Sequence, residues 1–600
     1  MAWAVRPTLD SLPDEVLHTI LCYSPASTAL TLERTSRRFQ SATNVPLLWR
    51  LYCQKDFKFW DHRHEFQRRL AGPVSAVDWK ALYALRRRID VTTTQMLDSI
   101  LMNQTGRIEK THRIVQFGYD AKDTLLRHAT VGEEWEDHLA RRYHSIAILG
   151  CLHRTMAIPV WNRLKNKEDI PLERALGAFD MFVLEAGPGD FNDISNYLES
   201  IVTRLSKDCA VIMELSPRNR ARRIARYLRE HDLTGIDPKR EYYNIEHNFI
   251  GLALRNHGHN SLPLISSSIY CYVARRLGLD AHPCGFPFHV HVIIHPAEGH
   301  DMDGNPLEDL SKPGDPMYMD PFRSTEETRI TELQEQLNFL GALTMSRSTF
   351  LRESLVQEIV LRCSKNILNS VFQTPRIRDT CLDPVNVKYA ALWSSMLLAE
   401  YANQDGQVPG VFPPRDVGHG HASLRRHLPA LMDNLASDFQ SDVYLIEEYL
   451  IPLFENLPEY APLLESVRVL RAGDEIPKQV RSRTPEHKHV KYKVGQVFRH
   501  RRYGYVAVIT GWDAECGAGE QWMQRMGIDR LRAGRHQSFY HVLVSDKSVR
   551  YVAEENIDPV SPEISQLPPA FVKLAGKHFK RWDPESRVFV SNIRDEYPDD

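Results

Sequence analysis

The sequence predicts a multidomain α+β protein. Three short helices come first, then a mainly helical centre with a small sheet, then a small antiparallel β-barrel. Three observations predict this. The chain has 600 residues, beyond the ~250–300 at which a single core stops growing. Residues 8–90 and most of 91–470 carry helical apolar spacing, with a strand-like interruption near 282–322. From residue 490 to 560 the chain changes to short alternating runs between turn signals. No repeat of fixed period is visible.

Composition narrows the class. Hydrophobic residues make up 42% and charged residues 25%, which excludes global disorder, collagen and coiled coil. A net charge of -2 excludes a uniformly basic nucleic-acid coat. The nine cysteines form no CxxC pair, so neither a disulfide framework nor a cysteine zinc site is expected, and a reducing compartment fits. The N-terminus turns polar before a signal-peptide core forms, and no stretch reaches the ~20 apolar residues of a membrane span. The expectation is a soluble protein of cytoplasm and/or nucleus, with no membrane partner and no cofactor.

The first module starts at TLDSLPDEVLHTILCYSP. Pro13 suits a first helical position, and Asp14 and Glu15 favour the positive end of the helix dipole. Val16, Leu17, Ile20 and Leu21 follow at one-face spacing, and Ser24-Pro25 ends the helix. A second helical pattern runs through Leu30, Leu32 and Phe39, and Pro46 opens a third with Leu48, Trp49 and Tyr52. LPDEVLHTIL, LTLERTSRRFQ and VPLLWRLYCQKDF together resemble the F-box motif over residues 8–57. That resemblance implies docking on the Skp-type adaptor of an SCF (Skp-cullin-F-box) ubiquitin ligase. It assigns Leu12, Pro13, Val16, Leu17, Ile20 and Leu21 to the contact, as apolar anchors of a helix in a groove. Some of them must instead hold the module's own core.

In the centre, Met181–Ala186 reads as helix after the first of two helices around a GPGD break. Leu264 to Leu277 has helical length and stops at Gly278. Phe286 to Ile294 alternates, placing His289 and His291 on one strand face, and MYMDPF (317–322) reads as a second strand ending at Asp320. A thiol-nucleophile site needs a His and an orienting acid, and His289 and Asp320 fit those two roles. Neighbouring His295 and His300 raise a metal question, but no acid or cysteine beside the pair completes a ligand set, so no metal is expected. The stretches SLPL (261–264), RRLGL (275–279), FPFH (286–289) and DPF (320–322) resemble the SirB-type branch of the transglutaminase-like superfamily. Its core covers about 171–330 within a region of 91–400. Active members of the superfamily hold a cysteine near the start of the central helix. Here that place reads NSLPL (260–264), Cys271 lies two turns inside, and Cys284 falls in a loop before the strand. The module is therefore expected to be a pseudoenzyme, with His289 and Asp320 as vestiges.

Polar, Gly- and Pro-rich stretches at 298–316 and 403–421 read as loops, 401–470 as a helical connection and 471–489 as a basic linker. Gln496–His500, Tyr505–Trp512, Phe539–Ser545 and Val549–Ala553 then suit strands, with Asp546-Lys547 as a hairpin turn. VGQVFRHRRYGYVAVITGWD, QSFYHVLVSD and VRYVAEENI resemble the YccV-like, hemimethylated-DNA-binding family over 490–562, leaving 563–600 as a tail. Between Lys478 and Arg502 nine basic residues face one acid, Glu486, a local charge of +8. Phosphates would seek such a patch; the other reading is a solvated basic linker leading into a peptide- or protein-binding barrel. Arg499, Arg501, Arg502, Tyr503, Tyr505 and Trp512 are the candidate substrate or nucleic-acid contacts.

The order F-box, SirB-type, YccV-like implies a substrate-recognition subunit of an SCF E3 ligase. Its partners would be the adaptor, the cullin scaffold and a protein substrate, and it would do no bond chemistry of its own. Two alternatives remain from the residues: a thiol hydrolase or transglutaminase-like enzyme using His289 and Asp320, and a DNA-associated adaptor acting through the last module.

Overall fold

The structure is a computed structural model. It describes residues 9–183, 190–237, 242–255, 258, 260–309, 313–340, 350–373, 382–400, 420–544 and 548–600. The chain divides into two compact units, one of residues 1–152 with 468–600 and one of residues 153–467.

In the first unit, helices α1 (Asp14–Tyr23), α2 (Ala26–Glu33), α3 (Arg37–Thr43) and α4 (Pro46–Asp56) replace the three expected. The second apolar pattern splits because Ser36 caps a new helix, its hydroxyl accepting the Phe39 N–H at 3.2 Å. Leu17, Leu21, Phe39, Leu48, Trp49 and Tyr52 form one core, joined by Trp79 and Tyr83 from the helix Trp79–Met102. Two buried bonds to main-chain carbonyls fix it: Trp49 donates to Thr43 at 2.6 Å and Tyr52 to Leu21 at 2.7 Å. These aromatic side chains carry a polar tip inward only because the carbonyl at the end of each receives it.

The same unit holds the C-terminal strands β5 (Val497–His500), β6 (Val506–Asp513), β7 (Phe539–Val544), β8 (Val549–Ala553) and β9 (Ile557–Pro559). They pair antiparallel in the order β8-β7-β6-β5-β9. The expected barrel is an open sheet among the described residues, because no ladder joins β8 to β9. β9 is three residues long and ends in Pro559, which has no N–H to extend a ladder. The register of β6 on β7 shifts between Ile509 and Gly511. Gly511 is required there, since a Cβ would lie 2.5 Å from the Tyr597 hydroxyl. The expected Asp546-Lys547 turn lies outside the described residues.

Residues 563–600 are more than a tail. The helix Pro569–Ala575 and the hairpin β10 (Phe579–Asp583) and β11 (Val588–Ser591) put Phe571, Phe579, Trp582, Phe589 and Tyr597 into the same core as β5–β7. Leu139, from the helix His138–Lys165, joins that core too. The start of the expected linker is also helical, since the helix Tyr460–Glu475 runs into it.

The second unit is mainly helical around a small antiparallel sheet. Its strands β1 (Asp280–Cys284), β2 (His291–His295), β3 (Met317–Met319) and β4 (Glu327–Thr328) pair in sequence order. The helix Pro263–Arg276 precedes them, buried from Pro263 to Ala274 apart from Tyr272. Gly278 follows in the left-handed region at φ 79°, the conformation that stops a helix cheaply only at glycine. Three expectations change. Cys284 lies in β1, where the Pro283–Val292 and Cys284–His291 register fixes it. His289 lies before the strand, since β2 opens at His291. The helix Leu172–Asp180 stops before Met181, with a turn at Met181-Phe182, while 184–189 and the loop 403–419 lie outside the described residues.

Candidate functional site

Three places carry side chains with something to do. The first is the outer face of α1. Leu17 and Leu21 are fully buried, whereas Val16 and Ile20 are 44% and 38% exposed. Tyr23 extends the exposed row, at i, i+4, i+7 spacing, and Leu30 on α2 and Leu47 on α4 are exposed as well. Pro13 is exposed and Leu12 half-buried. Arg38 pins the start of the helix by donating to Asp14 at 2.9 Å and to the Leu12 carbonyl. The six apolar residues expected to touch an adaptor thus separate into a core pair, Leu17 and Leu21, and an outward set. Tyr23 and Leu47 were not expected there. The sequence signal was present for Tyr23, which continues the face of Val16 and Ile20 at helical spacing.

The second place is the end of the two inner strands, β2 and β3, of the second unit's sheet. The register pairs Val292 with Met319, so the residues one step outward, His291 and Asp320, come opposite each other. His289 Nε2 lies 2.9 Å from Asp320 Oδ2, within ion-pair range but off the line of a hydrogen bond. The other carboxylate oxygen accepts the Phe322 and Arg323 N–H groups at 3.2 and 3.3 Å. Burial works to raise the Asp320 pKa, and the His289 imidazole and its other partners outweigh it and hold the carboxyl below its ordinary value. Burial, with His289 adding to it, pushes His291 down to about 4, so its ring is neutral at pH 7. The expectation that no acid completes the histidine pair does not hold, because Asp320 closes on both rings. Sequence reasoning paired His289 with Asp320 but did not bring His291 to the same carboxylate, because 28 residues separate His291 from Asp320 on adjacent strands.

A nucleophile is harder to find here. The Cys271 and Cys284 thiols are each pushed up to about 12 by burial. Cys284, opposite His291 in the register, donates its S–H to the Phe350 carbonyl at 3.2 Å. Ser267 donates to the Val290 carbonyl at 3.0 Å, and Ser266 and Ser261 bond each other at 2.7 Å. These hydroxyls sit on the start of the central helix, and their bonds hold it to that end of the sheet and to the preceding loop.

The third place is the turn between β5 and β6. Three of the nine basic residues of the +8 segment are neutralised within their own unit. Arg481 pairs with Asp513, Arg483 with Asp600 at 2.5 Å, and Lys491 with Glu554 at 2.7 Å. Among the described residues, Arg499, Arg501 and Arg502 carry exposed side chains in no ion pair. Tyr503 beside them is 65% exposed and lies parallel to Tyr505, ring centres 6.4 Å apart. Arg502 sits over Tyr503 and Arg550, which the sequence did not single out, sits over Tyr505. Trp512 does not belong to this surface. It is 2% exposed, and its indole is spent on Asp600.

Residues 9–55 match a family model described as F-box-like, 192–365 one described as transglutaminase-like superfamily, and 490–586 one described as hemimethylated DNA-binding protein YccV like. The chain carries these three modules in this order. Among curated proteins it is similar to F-box only protein 21 of Mus musculus, 23% identical over 99% of this chain and 92% of that protein. F-box only protein 21 of Homo sapiens is 22% identical over the same shares. No solved structure matches. The YccV-like match reaches 586, beyond β9 and into the β10–β11 hairpin, in keeping with the core those strands share. No helix among the described residues is long and apolar enough to cross a membrane.

Proposed function

We propose that this chain is the substrate-recognition subunit of an SCF E3 ubiquitin ligase. The F-box-like module holds the Skp-type adaptor, and through it the cullin scaffold, while the transglutaminase-like and YccV-like modules hold a protein substrate. The observation that carries the reading is the exposed row Val16, Ile20 and Tyr23 on a helix whose opposite face is sealed by Leu17 and Leu21. Apolar side chains at that spacing are anchors for a partner groove, and a small helical module gains stability by docking. The mechanism is positioning: a tethered substrate meets the ubiquitin-loaded conjugating enzyme at raised effective concentration. The chain supplies no nucleophile in this reading, consistent with thiols held protonated by burial.

The test is co-purification of the adaptor with the full chain. Val16→Asp with Ile20→Asp is expected to abolish capture while leaving the circular dichroism spectrum unchanged. Undiminished capture by that folded double variant would sink the proposal.

A second reading is a DNA-associated adaptor, favoured by the unpaired Arg499, Arg501 and Arg502 beside exposed Tyr503. Duplex binding that disappears on charge reversal of the three arginines supports it, and binding unchanged by that reversal removes it.

A further inference from the structure

We propose that His289, His291 and Asp320 together bind one divalent ion of the zinc class. This is independent of the ligase reading. Each residue offers one ligand atom, all within 4.8 Å of one another, and all three residues are buried. The antiparallel register puts Asp320 opposite His291, and His289 reaches the same point from the turn before β2. Phe288 enters that turn at φ 63° with its own side chain exposed. A left-handed phenylalanine is strained, and strain of this kind is held where it orients a neighbour. Here the neighbour is His289, whose ring is turned inward.

A plain His–Asp hydrogen bond does not account for the group. His291 Nδ1 is buried without a hydrogen-bond partner, which is costly for a polar nitrogen unless something else engages it, and His289 Nε2 has only the off-line Asp320 Oδ2 at 2.9 Å. Asp320 Oδ1 is anchored by two backbone N–H groups, which leaves Oδ2 for His289 or an ion. Backbone anchoring of a ligating carboxylate is the kind of outer support metal sites use. Phe286 lies edge-on to His291 and Phe322 edge-on to His289 at 5.1 and 5.8 Å, an apolar wall around the donors.

The donor set names the ion class. Two imidazole nitrogens and one carboxylate oxygen suit zinc and its first-row neighbours. Calcium and magnesium favour all-oxygen sets. Three protein donors also leave one position for water. In tetrahedral zinc sites neighbouring ligand atoms lie roughly 3.3 Å apart. His289 and Asp320 already approach to 2.9 Å, so small side-chain rotations gather the set.

The experiment uses the full chain, stripped with chelator and titrated with Co²⁺, then reloaded with Zn²⁺ and assayed for metal after gel filtration. The expected result is visible d–d absorption that saturates at one equivalent of Co²⁺ and is erased by one equivalent of Zn²⁺. Asp320→Asn, which keeps the shape and the backbone bonds, is expected to weaken binding at least tenfold, as is His291→Ala. A second histidine cluster lies nearby on β1 and β2, with His295 2.8 Å and His282 3.6 Å from Glu353. His282→Ala with His295→Ala is therefore the control and should bind like wild type. Wild-type chain that shows no d–d bands overturns the proposal whatever the variants do. So does Asp320→Asn binding as tightly as wild type, or loss of the bands in the His282–His295 control alone.

Discussion

The Trp512 indole N–H donates to Asp600 Oδ2 at 2.9 Å, and the same carboxylate takes the Arg483 guanidinium at 2.5 Å and the Val494 N–H. One buried acid thus ties β6, the segment before β5 and the last turn of the chain together. Removing one member of a buried, hydrogen-bonded ion pair costs about 3–5 kcal/mol. Asp600→Ala is therefore expected to lower the urea midpoint of the first unit strongly, whereas Arg499→Ala, exposed and unpaired, should stay within ~0.5 kcal/mol of wild type. Equal midpoints for the two variants would show that the carboxylate is not a fastening.

The two faces of α1 predict opposite phenotypes for neighbouring residues. Leu17→Ala empties a fully buried site and should cost about 2–5 kcal/mol. Val16→Ala trims an exposed side chain and should cost little in stability while weakening adaptor capture. Denaturation and capture measured on the same two variants separate the roles. A destabilised Val16→Ala protein would mean that the face is not outward.

How much of this was legible from residues alone depended on separation along the chain. The helix of Pro263–Arg276 and its stop at Gly278 follow from local spacing and one left-handed residue. The strands β5 to β8 follow from alternation. Local patterns did not reveal which side of α1 faces inward, because Val16 and Leu17 are both apolar and only the packed Trp49 and Tyr52 decide between them. Nor could they place Asp320 on His291, or show that Phe571 and Phe589 complete the core under β6. The basic segment misled for a related reason. Arg481 and Arg483 find Asp513 and Asp600, acids 32 and 117 residues away, and a running charge sum cannot see them.

That neutralisation gives a salt-dependence prediction. Lys478, Lys488 and Lys493 of the segment are exposed and outside these ion pairs as well, so duplex binding through Arg499, Arg501 and Arg502 alone should release about three counterions. The slope of log affinity against log salt is then near −3, against roughly −5 if the three lysines also meet phosphates and roughly −8 for nine free cations. Titrations between 50 and 200 mM salt measure it. Charge reversal at the three arginines should flatten the slope, and Lys491→Ala should leave it unchanged. A slope steeper than about −6 would mean that the ion pairs open on DNA.

Asp180 predicts a pH dependence for the second unit. Its carboxyl is buried, accepts the Gly251 N–H at 2.9 Å through one oxygen and leaves the other unpaired. Burial raises its pKa to about 8, against the backbone N–H groups of Gly251 and Leu252 and the charge of Arg255. The folded chain therefore keeps a proton that the unfolded chain releases above ~4. Stability from this group is complete below that value and is lost as pH rises toward 8. Between pH 5 and 7 wild type should lose roughly 2–3 kcal/mol relative to Asp180→Asn, which keeps the acceptor and cannot ionise. Unfolding curves that run parallel for the two proteins over that range would place the carboxyl elsewhere in the titration.

The thiols give the last prediction, which bears on catalysis. A thiol with pKa about 12 is ionised to roughly one part in 10⁵ at pH 7, against a few per cent for an ordinary cysteine. Cys284 is also fully buried in β1, with its S–H on the Phe350 carbonyl. An alkylating probe on the native chain at pH 7 should therefore spare Cys284, Cys271 and Cys363, and label them only in urea. Cys22, Cys209 and Cys516, partly exposed, should react first. The decisive comparison is Cys284 in wild type and in His289→Ala. A histidine that activates the thiol makes native labelling fast and makes it vanish in the variant. The geometry here predicts slow labelling in both, because the thiol's hydrogen bond runs to Phe350 and His289 faces Asp320.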